Sequence, residues 1–417
     1  MPGSVDMNLG RKIDTQVGRL LLALLYGVSR LRARLGGPPQ PPRLATTPPR
    51  AGAPPARPRR ILAIKLYGLG NIAMLLPVLA SLRRVHPDVE IDFLSLEENR
   101  SLLERSGLVE RTVPVTSRGY AAIVRDLLRA LWTIRRRRYD LVLDFEQFIK
   151  LSTILSYLSG APERIGFNTD GQGRGALYTT RVVYRDGEHM QHVFARLLRP
   201  LQVEFRSEPL KLRISEQERE GAKSLLREAR VPEGHRPLVA VHVGSGPNFY
   251  KTPLKRWPPE HFARLCDRLV EHRAATIVLT GKGSEEAALV GEVRSRMKHE
   301  AVDACDRLSI GELLALLADA DLTISNDTSV MHLATLVETP VAAFFGPTDP
   351  LQYGPRNPHD LVLYRDDYCS PCLTNFNLKI SYCTDPVCIR SIGVDETWER
   401  IDAQLAAIEA ATVEVVS

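Results

Sequence analysis

Asp327, Thr328, Ser329 and His332 place a carboxylate, two hydroxyls and an imidazole close together in the chain. They follow a short apolar run, Ala320-Asp321-Leu322-Thr323-Ile324-Ser325, that reads as a buried strand. They precede Val330, Leu333, Ala334 and Val337, whose spacing is helical. Free backbone N–H groups at a helix start, with the positive end of its dipole, bind anions. Thr328 and Ser329 can add hydroxyl donors there, and His332, about one turn on, can face the same anion. The same residues also suit an ordinary N-cap beside a surface histidine.

A second group lies upstream. Gly244-Ser245-Gly246 ends the apolar run Leu238–Val243, and Lys255-Arg256-Trp257-Pro258 follows. Small residues let backbone approach a phosphate, and Lys255 or Arg256 can neutralise it. Glu285 follows the glycine turn Gly281-Lys282-Gly283 after another buried strand, Thr276–Thr280, where a carboxylate can bond a ribose diol. In the first half, Tyr67-Gly68-Leu69-Gly70-Asn71 joins a buried strand to a helix over 72–85, which Pro77 should kink or tighten. Two glycines alone make a poor dinucleotide fingerprint. Asp144 and Glu146 follow the strand Leu141-Val142-Leu143, at the end where α/β sheets hold ligands, and are candidate general bases. The run Arg135-Arg136-Arg137-Arg138 ends a helix; it reads as a solvated basic face or as a contact for phosphates of a lipid-linked acceptor or bilayer.

These groups need strands and turns to hold them, and the chain supplies alternating strand and helix patterns in two halves, an α/β class. At 417 residues it accommodates two domains and an extension. Residues 1–59 read as an amphipathic helix plus a proline-rich linker, 60–220 as the first domain and 221–417 as the second. In Val17–Leu35, residues Val17, Leu20, Leu21, Leu24, Val28, Leu31 and Leu35 share one helical face, with Arg30 and Arg34 elsewhere. That pattern fits a helix lying on an anionic membrane or one docked on the protein body. Gly36–Arg60 reads as an extended, solvated linker. A net charge of +6 is too modest to argue for nucleic acid. No apolar run reaches the roughly 20 residues of a membrane span. Six cysteines do not form a disulfide framework. Four of them, Cys369, Cys372, Cys383 and Cys388, have the number a tetrahedral structural zinc site requires, though free or paired thiols also fit.

Asn326-Asp327-Thr328-Ser329-Val330-Met331-His332, with Thr339-Pro340 and Gly346-Pro347-Thr348-Asp349-Pro350 after it, resembles the C-terminal motif of glycosyltransferase family 9, the heptosyltransferases of lipopolysaccharide core assembly. The N-terminal signature of that family resembles Ile64-Lys65-Leu66-Tyr67-Gly68-Leu69-Gly70-Asn71. The resemblance covers roughly Arg60 to Ala411 and implies a GT-B fold, two Rossmann-like domains facing across a cleft. It implies that Asp327, Thr328, Ser329 and His332 hold the diphosphate of a sugar nucleotide. Lys255 matches the lysine of a K-x-W-P element that contacts the donor phosphate, and Glu285 the glutamate that holds the nucleoside. Gly68, Gly70 and the Arg164-Ile165-Gly166-Phe167 element fall on the acceptor side. Glu188–His192 begins the helix that closes the first domain, with His192 structural. Many members carry an aspartate base where this chain has Asn71, which takes no proton at neutral pH. Asn71 is then left to position the acceptor or cap its helix, and Asp144 or Glu146 to act as base. Similar cysteine tails in some members have no known catalytic role.

The implied activity is inverting transfer of a heptose-like sugar from a nucleoside diphosphate, ADP by family expectation, to a lipid-linked core or related envelope glycan. It needs no metal for catalysis. The implied location is the cytoplasm, peripheral on the inner face of the bacterial inner membrane. An epimerase-like GT-B enzyme would turn over donor without acceptor, and a non-catalytic binder would never consume it. A nicotinamide dehydrogenase fits less well. The last helix, Trp398–Ala411, is expected to pack back across the domain junction.

Overall fold

The computed structural model describes residues 14, 16, 18–29, 43–44, 58–116, 119–246, 253–377 and 379–416. The chain divides into two units, Met1–Glu208 and Pro209–Ser417.

In the first unit, a helix through residues 18–29 (α1) and the short strand β1 (Arg43–Leu44) precede β2 (Arg60–Ile64), α2 (Leu69–Val85), β3 (Glu90–Leu96), α3 (Arg100–Arg105) and β4 (Arg111–Val115). α4 (Tyr120–Arg137), β5 (Leu141–Asp144), α5 (Lys150–Leu158), β6 (Glu163–Asn168), β7 (Thr180–Val183) and α6 (Met190–Ala195) complete it. The strands pair in parallel in the order β1-β7-β6-β5-β2-β3-β4. Runs such as Ile61-Leu62-Ala63-Ile64 are buried on both faces because helices cover both sides of a parallel sheet. α2 runs unbroken through Pro77, which lies among its buried residues. α4 turns Ala130 and Ile134 onto the sheet and stops at Arg138, whose φ of 52° is left-handed.

The second unit contains α7 (Glu216–Glu228), β8 (Leu238–His242), α8 (Pro259–Arg273), β9 (Thr276–Thr280), α9 (Ser284–Arg296) and β10 (Val302–Asp303). α10 (Ile310–Asp319), β11 (Leu322–Asn326), α11 (Ser329–Leu336), β12 (Val341–Phe345), α12 (Pro350–Tyr353), β13 (Leu361–Tyr364), α13 (Val387–Arg390) and α14 (Val394–Val416) follow. Its parallel sheet has the order β10-β9-β8-β11-β12-β13. Counted from its first strand this is the 3-2-1-4-5-6 order of dinucleotide-binding folds, and β2–β7 of the first unit repeat it. Such sheets bind ligands where the strand order reverses. The reversal falls between β8 and β11 in the second unit and between β2 and β5 in the first. Trp257 anchors the second core, stacked on Phe344 at 4.1 Å and donating to the Ile392 carbonyl at 2.9 Å.

One expectation changes. Arg43 and Leu44, inside the stretch read as a solvated linker, pair with Thr180 and Arg181 at the sheet edge. An extended proline-rich chain keeps the free N–H groups of its other residues, and an exposed strand edge accepts them. The last helix packs on α8 and β13 of its own unit. It is held there by Arg273 with Asp402 (2.6 Å) and by Gln404 Nε2 donating to the Val341 and His359 carbonyls (3.1 and 2.6 Å). The N-terminal helix docks on the protein body through Leu22, buried with Ile154 and Leu177, whereas Leu20, Leu21, Leu24 and Val28 of the apolar face read from the sequence are exposed. Val17, Arg30, Leu31, Arg34 and Leu35 lie outside the described residues.

Candidate functional site

At the reversal in the second sheet, β11 ends in Asn326-Asp327 and α11 begins. Thr328 caps α11, its hydroxyl accepting the Val330 N–H at 3.2 Å, with Ser329 as the first helical residue. Asp327 is buried. Lys255 Nζ reaches its carboxylate at 2.5 Å and its carbonyl at 3.1 Å, and Thr348 donates to the same carboxylate at 2.7 Å. Burial works to raise this carboxyl, but the Lys255 charge and these two hydrogen bonds hold it below its ordinary value. His332 is buried beside the pair. Burial lowers its pKa to about 4, with Lys255 adding to the fall and Asp327 opposing it, so the ring is neutral at pH 7. The result is one ammonium, fixed by a carboxylate, next to a neutral imidazole and the opening turn of a helix. A carboxylate repels a phosphate, so here Asp327 orients Lys255, and the donors available to an anion are the ammonium, the hydroxyls and the backbone N–H groups.

Asn326, the first residue of the motif, closes this turn. Its fully buried carboxamide accepts the Trp257 N–H at 2.9 Å and donates to the Val243 and Gly244 carbonyls at 3.0 Å each. One side chain thereby ties the end of β11 to the end of β8 and to the Lys255 loop. Gly244 is required by packing: a Cβ there would lie 2.0 Å from Glu286 Oε1. Of the two glutamates after Gly283, the one seated at the reversal is therefore Glu286. It is buried, accepts N–H groups from Lys282 (2.8 Å) and Gly246 (3.3 Å), and lies 3.7 Å from His242. Burial pushes the His242 pKa down, against the pull of Glu286. Glu285 instead sits exposed, paired with Arg256 at 2.6 Å, while Arg256 also bonds Ser245 Oγ at 3.0 Å. Lys255 and Arg256 are thus each paired with a carboxylate, and Lys255, the more exposed of the two side chains, is the one seated at the β11 turn.

At the reversal in the first sheet, Gly68 (φ 91°) begins α2. Its conformation favours glycine, and a Cβ would meet Asn71 Nδ2 at 2.6 Å. Gly70 is buried in the first turn of the helix, and Asn71 makes no side-chain cap; Gly68 occupies the N-cap position. Glu146 is buried, paired with Lys65 at 2.7 Å and accepting the N–H groups of Leu66 (2.7 Å) and Tyr67 (3.2 Å). It shapes the glycine loop from across the reversal. Asp144 is fully buried, its carboxylate taken by Glu146 N–H, Arg174 and Tyr178 at 3.0, 3.1 and 2.6 Å. Burial raises its pKa and the Arg174 charge opposes that rise. Both carboxylates, the candidate bases, are thus held by protein partners in this structure. Arg174 and Tyr178 gave no sequence signal. Arg174 also bonds Thr153 Oγ1 (2.8 Å), Ser152 Oγ (3.1 Å) and the Glu146 carbonyl, a closed polar knot under the loop.

Other candidates lie elsewhere. Arg164 is near the start of β6, the opposite end of the strand from the reversal. Its guanidinium bonds the Leu177 and Ala161 carbonyls (3.0 and 2.5 Å), a local clamp at that end of the strand. In the arginine run, Arg137 pairs with Asp92 and Glu90 (3.0 and 2.9 Å), and Arg135 donates to the Leu158 carbonyl (2.8 Å). His192 packs edge-on against Phe205. Cys369, Cys372, Cys383 and Cys388 are free thiols. Burial pushes the Cys388 thiol up to about 12, and the other three each add to the rise. Among the described residues no group of three or more His, Cys, Asp or Glu side chains is disposed to hold a metal ion.

Residues 127–381 match the profile of Glycosyltransferase family 9 (heptosyltransferase). The chain is 26% identical to lipopolysaccharide heptosyltransferase 1 of Pseudomonas aeruginosa over 378 residues, 84% of this chain and 99% of that one. Its fold is similar to that of a family 9 glycosyl transferase from Veillonella parvula, with a TM-score of 0.72 and 22% identity, covering 84% of this chain and 98% of the other. It is also similar to E. coli ADP-heptose lps heptosyltransferase II, with a TM-score of 0.65 and 20% identity over 84% and 99% of the two chains.

Proposed function

We propose, from the premise that this chain belongs to glycosyltransferase family 9 and is a glycosyltransferase of GT-B fold, that it moves a heptose-like sugar from a nucleoside diphosphate to a lipopolysaccharide-core or related envelope glycan. The observation that carries the donor half is the turn at β11, where Lys255, fixed by Asp327, stands beside neutral His332 and the capped start of α11. In the reaction an acceptor hydroxyl oxygen bonds the anomeric carbon and gives up its proton to solvent water, while the bond from that carbon to the diphosphate oxygen breaks. The leaving diphosphate keeps the electron pair. Its growing charge meets the Lys255 ammonium, the hydroxyls of Thr328 and Ser329, and the N–H groups of α11, donors already in place. Gly244 and Ser245 give the phosphates backbone access, and Glu286, with Glu285 at the outer edge, forms the carboxylate side of the nucleoside. Gly68, Gly70 and Asn71 take the acceptor side.

The relatives named as lipopolysaccharide heptosyltransferases support an ADP-sugar donor and a lipid-linked acceptor, and with them a cytoplasmic enzyme working at the inner face of a bacterial inner membrane. A panel of ADP, UDP, GDP, CMP and NAD tests the donor site by thermal shift. ADP at about 100 times its dissociation constant should stabilise by roughly 2.7 kcal/mol, and Lys255→Ala should abolish that gain. Equal stabilisation of the variant, or none of the wild type by any diphosphate, would sink the reading.

For the cysteine tail we propose a structural zinc held by Cys369, Cys372, Cys383 and Cys388. Supporting it, Cys369, Cys372 and Cys383 lie near enough to Cys388 for each to add to the rise of its thiol. Metal analysis of untagged protein should find about one zinc per chain by the tetrathiolate rule; far less would reject it.

A further inference from the structure

An enzyme acting on a lipid-linked acceptor needs a surface that meets the bilayer. Two helices on one face of the first sheet carry apolar stripes that no other described residue covers. On α4, Val124, Leu128 and Trp132 recur every fourth residue and are 57%, 65% and 61% exposed, opposite the face that holds Ala130 and Ile134 to the sheet. Arg125, Arg129, Arg135 and Arg136 are exposed along its length, and Arg136 lies over the Trp132 ring at 4.5 Å. The single acidic residue of α4, Asp126, lies between Arg125 and Arg129 at 3.0 and 3.8 Å.

α5 lies against α4, and α1 packs on the outer side of α5. Asp14 fastens it there by accepting the Lys150 and Leu151 N–H groups at 3.1 and 2.9 Å. With Leu22 turned inward, Leu20, Leu24 and Val28 repeat the same four-residue spacing outward, 73%, 63% and 36% exposed, beside exposed Arg19. Both stripes therefore belong to the same side of the same sheet.

We propose that the outer faces of α1 and α4 together form a docking surface for an anionic lipid bilayer. The inference rests on the lipid-linked acceptor and goes further by naming the face. Leucine, valine and tryptophan side chains enter the boundary between headgroups and acyl chains, and arginine stems lie along it with guanidinium groups at the lipid phosphates. A near absence of acid on these faces matches a negative surface and no other charge. The Arg135–Arg138 run is divided by this geometry: Arg137 is taken inward by Asp92, and Arg135 and Arg136 remain on the outer side.

The test is sedimentation of the full chain with vesicles of phosphatidylglycerol and phosphatidylcholine, against phosphatidylcholine alone. The wild type should bind the anionic vesicles at least ten-fold better, and salt should weaken that binding. Leu128→Glu with Trp132→Glu, and separately Leu20→Glu with Leu24→Glu, should each cut it at least ten-fold. Arg125→Glu with Arg129→Glu should flatten the salt dependence. All three variants should keep the wild-type melting temperature, because none of these side chains is buried. No preference for anionic vesicles, or binding untouched by the variants, overturns the proposal. So does loss of a dimer in the variants by sedimentation velocity, which would make a second copy of the chain the occupant. Failure of the donor reading would appear as absent diphosphate binding and would leave the vesicle result intact.

Discussion

Asn71 is the residue at which this chain departs most from the chemistry expected of it. Its carboxamide stands in the first turn of α2, beside the Gly68 loop, where it can hydrogen-bond an acceptor hydroxyl but cannot take its proton. A carboxylate there would be favoured by the positive end of the helix. Asn71→Asp should therefore raise kcat by about 10²-fold, the lower range of general base catalysis, with KM little changed; an unchanged kcat would place the base elsewhere. What could be read of the site from the chain was the set of groups whose meaning is local. Thr328 caps the helix that its own spacing announces, and Lys255 falls where a loop follows a strand. Asn326, Glu286 and Arg174 were not legible, because each owes its role to partners far away in sequence. Asn326 bonds residues 69 to 83 positions away, and Arg174 meets Asp144 30 positions away. Asp144 shows the converse: what a carboxylate at the end of a strand can do depends on its partners, and the sequence does not reveal Arg174 beside it.

The elements that carry these residues were mostly visible as alternating strand and helix patterns. The start of α5 was not. Ile149 precedes it and offers no side-chain oxygen, so its first N–H groups are instead taken by Asp14, far upstream. That contact both caps α5 and seats α1. Asp14→Ala should cost about 1 kcal/mol, the usual price of a lost cap, seen as a melting temperature lower by about 2–4 °C. It should also expose the α1 segment to limited proteolysis. Undiminished stability would mean that Leu22 alone holds the helix. The same contact explains why a helix with a membrane-like pattern is only half turned outward: Leu22 and its neighbours find a protein surface, and the next stripe does not.

Taken as a whole, the molecule repeats one solution twice. Each unit is a parallel sheet whose order reverses at its first strand, and each places a glycine-bearing loop and an internally paired lysine and carboxylate at that reversal: Lys65 with Glu146, and Lys255 with Asp327. The first pair is buried and fixes a loop; the second is partly open, and its lysine is the one able to meet an anion. The most direct measurement of the account is release of nucleoside diphosphate from a nucleotide-sugar, with and without a heptose-deficient lipopolysaccharide acceptor. The account predicts ADP release from ADP-heptose that depends on the acceptor and is matched by sugar appearing on it. Turnover of donor without acceptor, or donor bound and never consumed, would contradict it.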